Sequence, residues 1–258
     1  MRSMWKGSIG FGMVSIPVKL YKSTEEKAIH FNTLHSVCST RIQMPKFCPK
    51  CEKHVPAEEL VKAYPLDGER YIPLTAQDFE MVPLSSLKSI RIDGFIKSID
   101  DPRWFDSTYV LAPEEVGVRA FVLFAKAMKE LGVIGVAKIA IREKESLCAV
   151  RPDETGLLFL QTLHWGDELR DYSDLHVGAD VSSEKEMEMA KTLINTMVKP
   201  IQLDAYQDEY RKALVDLISA KLEGRTIEAP PPEKKAEGDL VEQLMASLKA
   251  VEAEPAKA

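Results

Sequence analysis

No window of this 258-residue chain approaches the roughly 20 consecutive apolar residues that a membrane-spanning helix needs, so nothing in it is expected to cross a bilayer. It also lacks a charged and apolar leader followed by a small-residue cleavage site. Cysteine is scarce, with four residues, and a chain of this length can bury a core without covalent staples. That argues against a secreted disulfide framework and for a cytoplasmic protein. Positive charge is in deficit: 34 Lys and Arg face 40 Asp and Glu, a net charge of -6. An acidic chain is a poor bulk binder of nucleic acid, so any such binding must come from a local basic surface. Catalytic signatures are missing as well: there is no Gly-x-Ser-x-Gly elbow, P-loop, His-Glu-x-x-His or dinucleotide fingerprint. The best remaining candidates are His164 with Asp167, and His176 with Asp174 and Asp180. They are loosely spaced in an acid-rich loop that reads as a turn or partner surface, and a binding protein is favoured over an enzyme.

What is present is mainly β patterning with some helix. In WKGSIGFGMVSIPVKLY, residues 5–21, Trp5, Ile9, Phe11 and Met13 share one parity and Val14, Ile16, Val18 and Leu20 the other. The switch after Gly10 and Gly12 predicts a bulge or bend of the kind found in barrels. Hairpins are expected around Asp67-Gly68 and Asp93-Gly94. The spacing predicts a helix over 114–131, with Ala120, Leu123, Phe124, Ala127 and Met128 on one face and Gly132 as its cap. In VAKIAIREKESL, residues 136–147, Ala137, Ile139 and Ile141 alternate with Lys138, Arg142 and Lys144. The cationic face suits either a solvated barrel exterior or contact with phosphates.

Ser183 and Glu186 make a capping box for a helix that runs toward Pro200. A second helix, over about 204–223, carries Tyr206, Tyr210, Ala213, Leu214 and Leu217 as a packing stripe rather than a base-stacking platform. Residues 229–238 read as a linker, and 239–258 as a tail whose helix begins at Asp239. Its apolar stripe is Val241, Leu244, Met245 and Leu248. A helix of roughly 13 residues is marginal alone, so it needs a groove on the body or on a partner.

Three of the cysteines and two histidines fall in HSVCSTRIQMPKFCPKCEKHV, residues 35–55. Cys48-Pro49-Lys50-Cys51 is a knuckle whose tight turn puts two thiolates on one tetrahedral edge, and His35-x-x-Cys38 repeats the spacing. Joined, the two corners make a closed zinc site of His35, Cys38, Cys48 and Cys51, a structural ribbon with no open position for substrate water. His54 is the alternative fourth ligand, and three buried free cysteines near a strand the alternative to a site. Arg41, Lys46, Lys50 and Lys53 against the single acid Glu52 make the same stretch a basic patch on an acidic chain.

MWKGSIGFGMVSIPVKLYKST resembles the opening of the prokaryotic Ku proteins. The resemblance continues through FNTLH, STRI, YIPLTAQDFE, FDSTYVLAP, AKIAIREKESLCAVRP and DEYRKALVDLISAKLEG, and covers residues 1–228. It implies a mainly β fold with α: a β-barrel core, an inserted bridging arm over about 28–92 that holds the zinc-ribbon-like module, and a C-terminal helical arm over about 182–224. It also implies a non-enzymatic, ring-shaped homodimer that threads double-stranded DNA ends in non-homologous end joining. Arg41, Lys46 and Lys50 of the arm and Lys138, Arg142, Lys144 and Arg151 of the barrel would line the channel and grip phosphates without reading bases. The tail stripe would dock an ATP-dependent DNA ligase of the ligase D type, and the protein would be cytoplasmic and nucleoid-associated. Many relatives carry a lysine-rich extension, whereas this chain ends in VEAEPAKA. The reading from another class is a zinc-ribbon metalloenzyme acting on nucleic acid, with His164 or Asp167 in its site.

Overall fold

Alternation in the first 22 residues produces a hairpin. Strands β1 (Trp5–Phe11) and β2 (Val14–Lys22) are joined by Gly12-Met13, with Gly12 at φ 57, a conformation glycine adopts without steric cost. The change of parity that suggested a bulge is therefore this turn: the face switches because the chain reverses. The computed structural model describes residues 1–225 and 240–253 apart from 69, 83–87, 142–143, 177 and 179–182. Arg142, Asp180, the 229–238 linker and the Asp239 cap lie outside the described residues.

Between β2 and the next barrel strand the chain makes a long excursion, residues 23–88. It contains two short hairpins, β3 (Phe47–Cys48) with β4 (Lys53–His54) and β5 (Lys62–Pro65) with β6 (Tyr71–Leu74), the second turning at Asp67-Gly68 as expected. A one-turn helix, α1 (Ala76–Glu80), follows under a Thr75–Asp78 capping box. None of its described residues is buried, although Phe31, Val37, Met44, Val61, Tyr71 and Met81 are each more than half exposed apolar side chains. A segment this long without a core cannot be held by burial alone.

The chain re-enters the barrel as β7 (Ser89–Ile96). The Ser8 N–H donates to the Lys88 carbonyl at 3.0 Å, and Gly7 leaves the space there, because a Cβ would lie 2.5 Å from the same oxygen. Asp93-Gly94 is not the predicted hairpin. β7 is one strand whose register shifts between Ile92 and Gly94, a bulge that bends it around the barrel. Then come β8 (Phe105–Pro113), α2 (Val118–Leu131), β9 (Ile134–Ile141), β10 (Lys144–Pro152) and β11 (Leu158–Leu163). The seven strands close in the order β1-β2-β8-β11-β10-β9-β7, with β7 parallel to β1 and every other pair antiparallel.

Ile9, Ile16, Leu20, Ile139, Val150 and Leu160 fill the interior with zero exposure. Each such side chain contributes about 1.5–3 kcal/mol by leaving water. Helix α2 packs on this core through Phe121, Phe124, Ala125 and Met128, with Phe124 stacked on Phe11 at 4.5 Å. The buried stripe is shifted from the predicted one, and Leu123 is 70% exposed. Gly132 at φ 59 caps the helix as expected.

The described chain divides into two units, Met1–Tyr172 and Ser173–Ala258. The second holds α3 (Glu184–Met197), α4 (Glu209–Leu222) and α5 (Leu240–Ala253). The Ser183–Glu186 capping box begins α3, and α5 packs against α3. The predicted second helix is shorter than its pattern, so Tyr206 falls outside α4, and Tyr206 and Tyr210 are 70% and 77% exposed. No helix among the described residues is long and apolar enough to cross a membrane.

Candidate nucleic-acid interface and cysteine cluster

On β9 the residues Ala137 and Ile139 enter the core, which turns the exposed Lys138 between them outward. Its lateral neighbours are Arg91 on β7 and Leu147 on β10. Two exposed cations thus stand directly opposite each other on adjacent strands, an arrangement that repels by up to about 1 kcal/mol. The Lys138 ammonium lies 5.8 Å from the Trp165 ring centroid, at the edge of cation–π range. Neither Arg91 nor Trp165 was singled out from sequence. The signal for Arg91 was the Ser-Ile-Arg-Ile-Asp alternation, which becomes readable once β7 is one strand.

Lys138 and Lys144 do not share one face. The run taken for a single strand is a hairpin, β9 into β10, and Lys144 pairs with Ile141, on the opposite parity from Lys138. Lys144 also has an acidic neighbour. The Glu168 carboxylate is held below the usual range first by the Trp165 N–H, which donates to it at 2.8 Å, and further by the charges of Lys144 and His164. His164 Nδ1 lies 3.5 Å from Glu168 Oε2, so this candidate acid–base residue has a carboxylate beside it. Arg151 is half-buried, its guanidinium 5.5 Å from the Phe105 ring centroid and its Nε buried without a hydrogen-bond partner. It is held against the barrel rather than presented freely on a wall.

In the insertion, Arg41, Lys46 and Lys50 are exposed, and Lys53 pairs with Glu59 at 3.6 Å. The cysteine cluster forms as two corners. In the first, Leu34 bridges Arg41, the His35 N–H donates to the Thr40 carbonyl at 2.8 Å, and His35 Nδ1 sits 3.0 Å from Cys38 Sγ. In the second, Phe47 pairs with His54 and Cys48 with Lys53. Hydrogen bonds from the Thr40 hydroxyl and N–H hold the Cys38 thiol below its usual range. Bonds from the Cys51 N–H and thiol do the same for Cys48, and the shared bond raises Cys51. Among the described residues no three His, Cys, Asp or Glu side chains meet as a metal-holding group, so the four predicted ligands stand as two pairs. The fourth cysteine, Cys148, has zero exposure, and burial pushes its thiol far above the ordinary range.

The tail stripe is engaged within its own unit. Val241, Leu244 and Leu248 are half-buried on α5, which packs on α3, and Met245 is 44% exposed.

The chain is a closed seven-stranded barrel with cations on its outer face, an insertion between its second and third strands in which no described residue is buried, and a helical unit later in the sequence. Residues 10–192 match the family described as the Ku70/Ku80 beta-barrel domain. The chain is 43% identical over 258 residues to a protein of Archaeoglobus fulgidus, covering 97% of this chain and 100% of the relative. It is 41% identical over 260 residues to one of Symbiobacterium thermophilum, covering 99% of this chain and 65% of the relative, and 34% identical over 255 residues to one of Bacillus subtilis, covering 96% and 82%. All three relatives carry the name Non-homologous end joining protein Ku. The chain belongs to the Ku family.

Proposed function

We propose that this protein binds double-stranded DNA ends without regard to sequence, as a ring-shaped homodimer in non-homologous end joining, and that it protects the ends and recruits an ATP-dependent DNA ligase. The observation that carries the reading is the family membership, on a match that spans nearly the whole chain. The surface is consistent with it. Arg91 and Lys138 are paired against electrostatic preference, which stability alone does not select for and a polyanion would relieve. A net charge of -6 is no obstacle to a ring, because only its inner wall has to be basic.

The apolar side chains left uncovered in the insertion and on α4, Tyr210 and Leu222 among them, suit contact with a second copy of the chain. Met245 and its neighbours on α5 are the surface assigned to the ligase. A cytoplasmic, nucleoid-associated location follows from the same role. The test is binding to a linear duplex compared with the same duplex closed into a circle. Tighter binding to the linear form supports the reading, and equal affinity refutes it.

A further inference from the structure

Residues 164–172, which follow β11, form a strap tied back to the barrel unit. The His164 N–H donates to the Trp104 carbonyl at 2.8 Å. Further along, Arg103 donates to the Arg170 carbonyl at 3.2 Å, and its guanidinium carbon lies 4.5 Å from the Tyr172 ring centroid. Within the strap the Trp165 N–H donates to the Glu168 carboxylate at 2.8 Å and the Glu168 N–H to the Trp165 carbonyl at 3.0 Å, so the turn that carries the indole is closed on itself. The strap thus fixes two aromatic rings, Trp165 and Tyr172, each set against a cation outside it, Lys138 and Arg103. Neither ring is sunk in the core: Trp165 is half-buried and Tyr172 is 56% exposed.

A duplex asks only cations of a protein that does not read its sequence, because its bases are paired and stacked and its phosphates face outward. An aromatic ring beside phosphate-binding cations is the combination that holds a single strand, whose bases are free to stack on a side chain. Arg91 and Lys138 supply the opposed cations, and the Trp165 ring centroid stands 5.8 Å from the Lys138 ammonium. The acids Asp167 and Glu168 follow the indole and keep phosphates off the strap, which sets the direction of a bound strand: backbone on Arg91 and Lys138, bases toward the indole. We propose that Arg91, Lys138 and Trp165 form a subsite for the unpaired overhang of a DNA end, with the two cations on its phosphates and the indole stacked on one of its bases. The inference rests on the end-binding reading and extends it to the single-stranded part of the end.

The test measures the affinity of full-length protein for one duplex in three forms. The first is blunt, the second carries an overhang of about six nucleotides, and the third carries an overhang of the same length made of tetrahydrofuran residues, which keep the phosphates and lack the bases. Overhangs of both polarities are measured. We expect the base-bearing overhang of at least one polarity to bind at least about fivefold tighter than its tetrahydrofuran counterpart, the contribution of one stacked base. Trp165→Leu, which keeps an apolar side chain against the barrel but has no ring, removes that difference. Equal affinity of the wild-type protein for base-bearing and tetrahydrofuran overhangs overturns the proposal, and so does a base preference that survives in Trp165→Leu. The first comparison is made within the wild-type protein, so it decides even if the variant does not fold. Wild-type protein that holds the blunt duplex without any base preference fails this inference alone, whereas no affinity for any of the three forms fails the end-binding reading beneath it.

Discussion

Arg91 and Lys138 offer the sharpest separation of function from stability. The double change Arg91→Gln, Lys138→Gln removes two facing cations from the barrel exterior. In a homodimer that is four cations. At about 0.9 in the logarithmic salt slope for each phosphate neutralised, the slope should become less steep by about 3.6. Over a fourfold rise in salt, wild-type affinity would then fall about 150-fold more than that of the variant. The assay is fluorescence anisotropy on linear duplexes of several unrelated sequences at a series of salt concentrations. The loss at low salt should be the same for all sequences, since phosphate contacts carry no base information. Folding stability should hold or rise by up to about 1 kcal/mol, because opposed like charges are relieved. An unchanged slope, a loss confined to one sequence, or a fall in stability that accounts for the loss would refute the reasoning.

Other expectations follow from the same geometry. Glu168→Gln should strengthen DNA binding at low salt, by freeing Lys144, and the gain should vanish at high salt. The Glu168 carboxylate is depressed in the fold, so whatever stability it contributes is complete above its unfolded value and is lost as pH falls through its lower, folded one; in a pH series the melting temperatures of wild type and Glu168→Gln should differ near neutral pH and converge on the acid side. In reduced, chelator-treated protein a thiol reagent should modify Cys38, Cys48 and Cys51 rapidly and Cys148 only on global unfolding, which thiol counting with and without denaturant will show. Tyr210→Glu, at an exposed position on α4, should leave the secondary structure unchanged by circular dichroism and shift sedimentation toward monomer; a dimer that persists contradicts the use of that face.

Local signals were legible where a single chemistry decides the structure. Gly132 in its cap, the Ser183–Glu186 box and the Asp67-Gly68 turn all stand where their residue types require. Misreadings arose where the same residues serve a different geometry. Asp93-Gly94 is a turn signal, but closure of the barrel uses it as a bulge, and only the pairing of β7 with both β1 and β9 distinguishes the two. Residues 142–143, between β9 and β10, are neither glycine nor asparagine, so alternation ran on past Ile141 and put Lys144 on the wrong face. Arg91 was hidden for a similar reason: it becomes Lys138's neighbour through a register that joins strands separated by two other elements. The His35–Cys38 and Cys48–Cys51 spacings were legible as two corners, and the positive φ at Ser39 and Glu52 just after them was not, because backbone conformation leaves no mark in composition.

The central claim is that a DNA end passes through a closed ring, and topological trapping tests it most directly. Protein is loaded on a linear duplex, the duplex is then sealed into a circle by an added ligase, and the complex is challenged with high salt. Phosphate contacts are lost under that challenge, so only a threaded ring can stay. The account predicts retention on the sealed circle and release from the unsealed linear DNA. Equal release from both would contradict it.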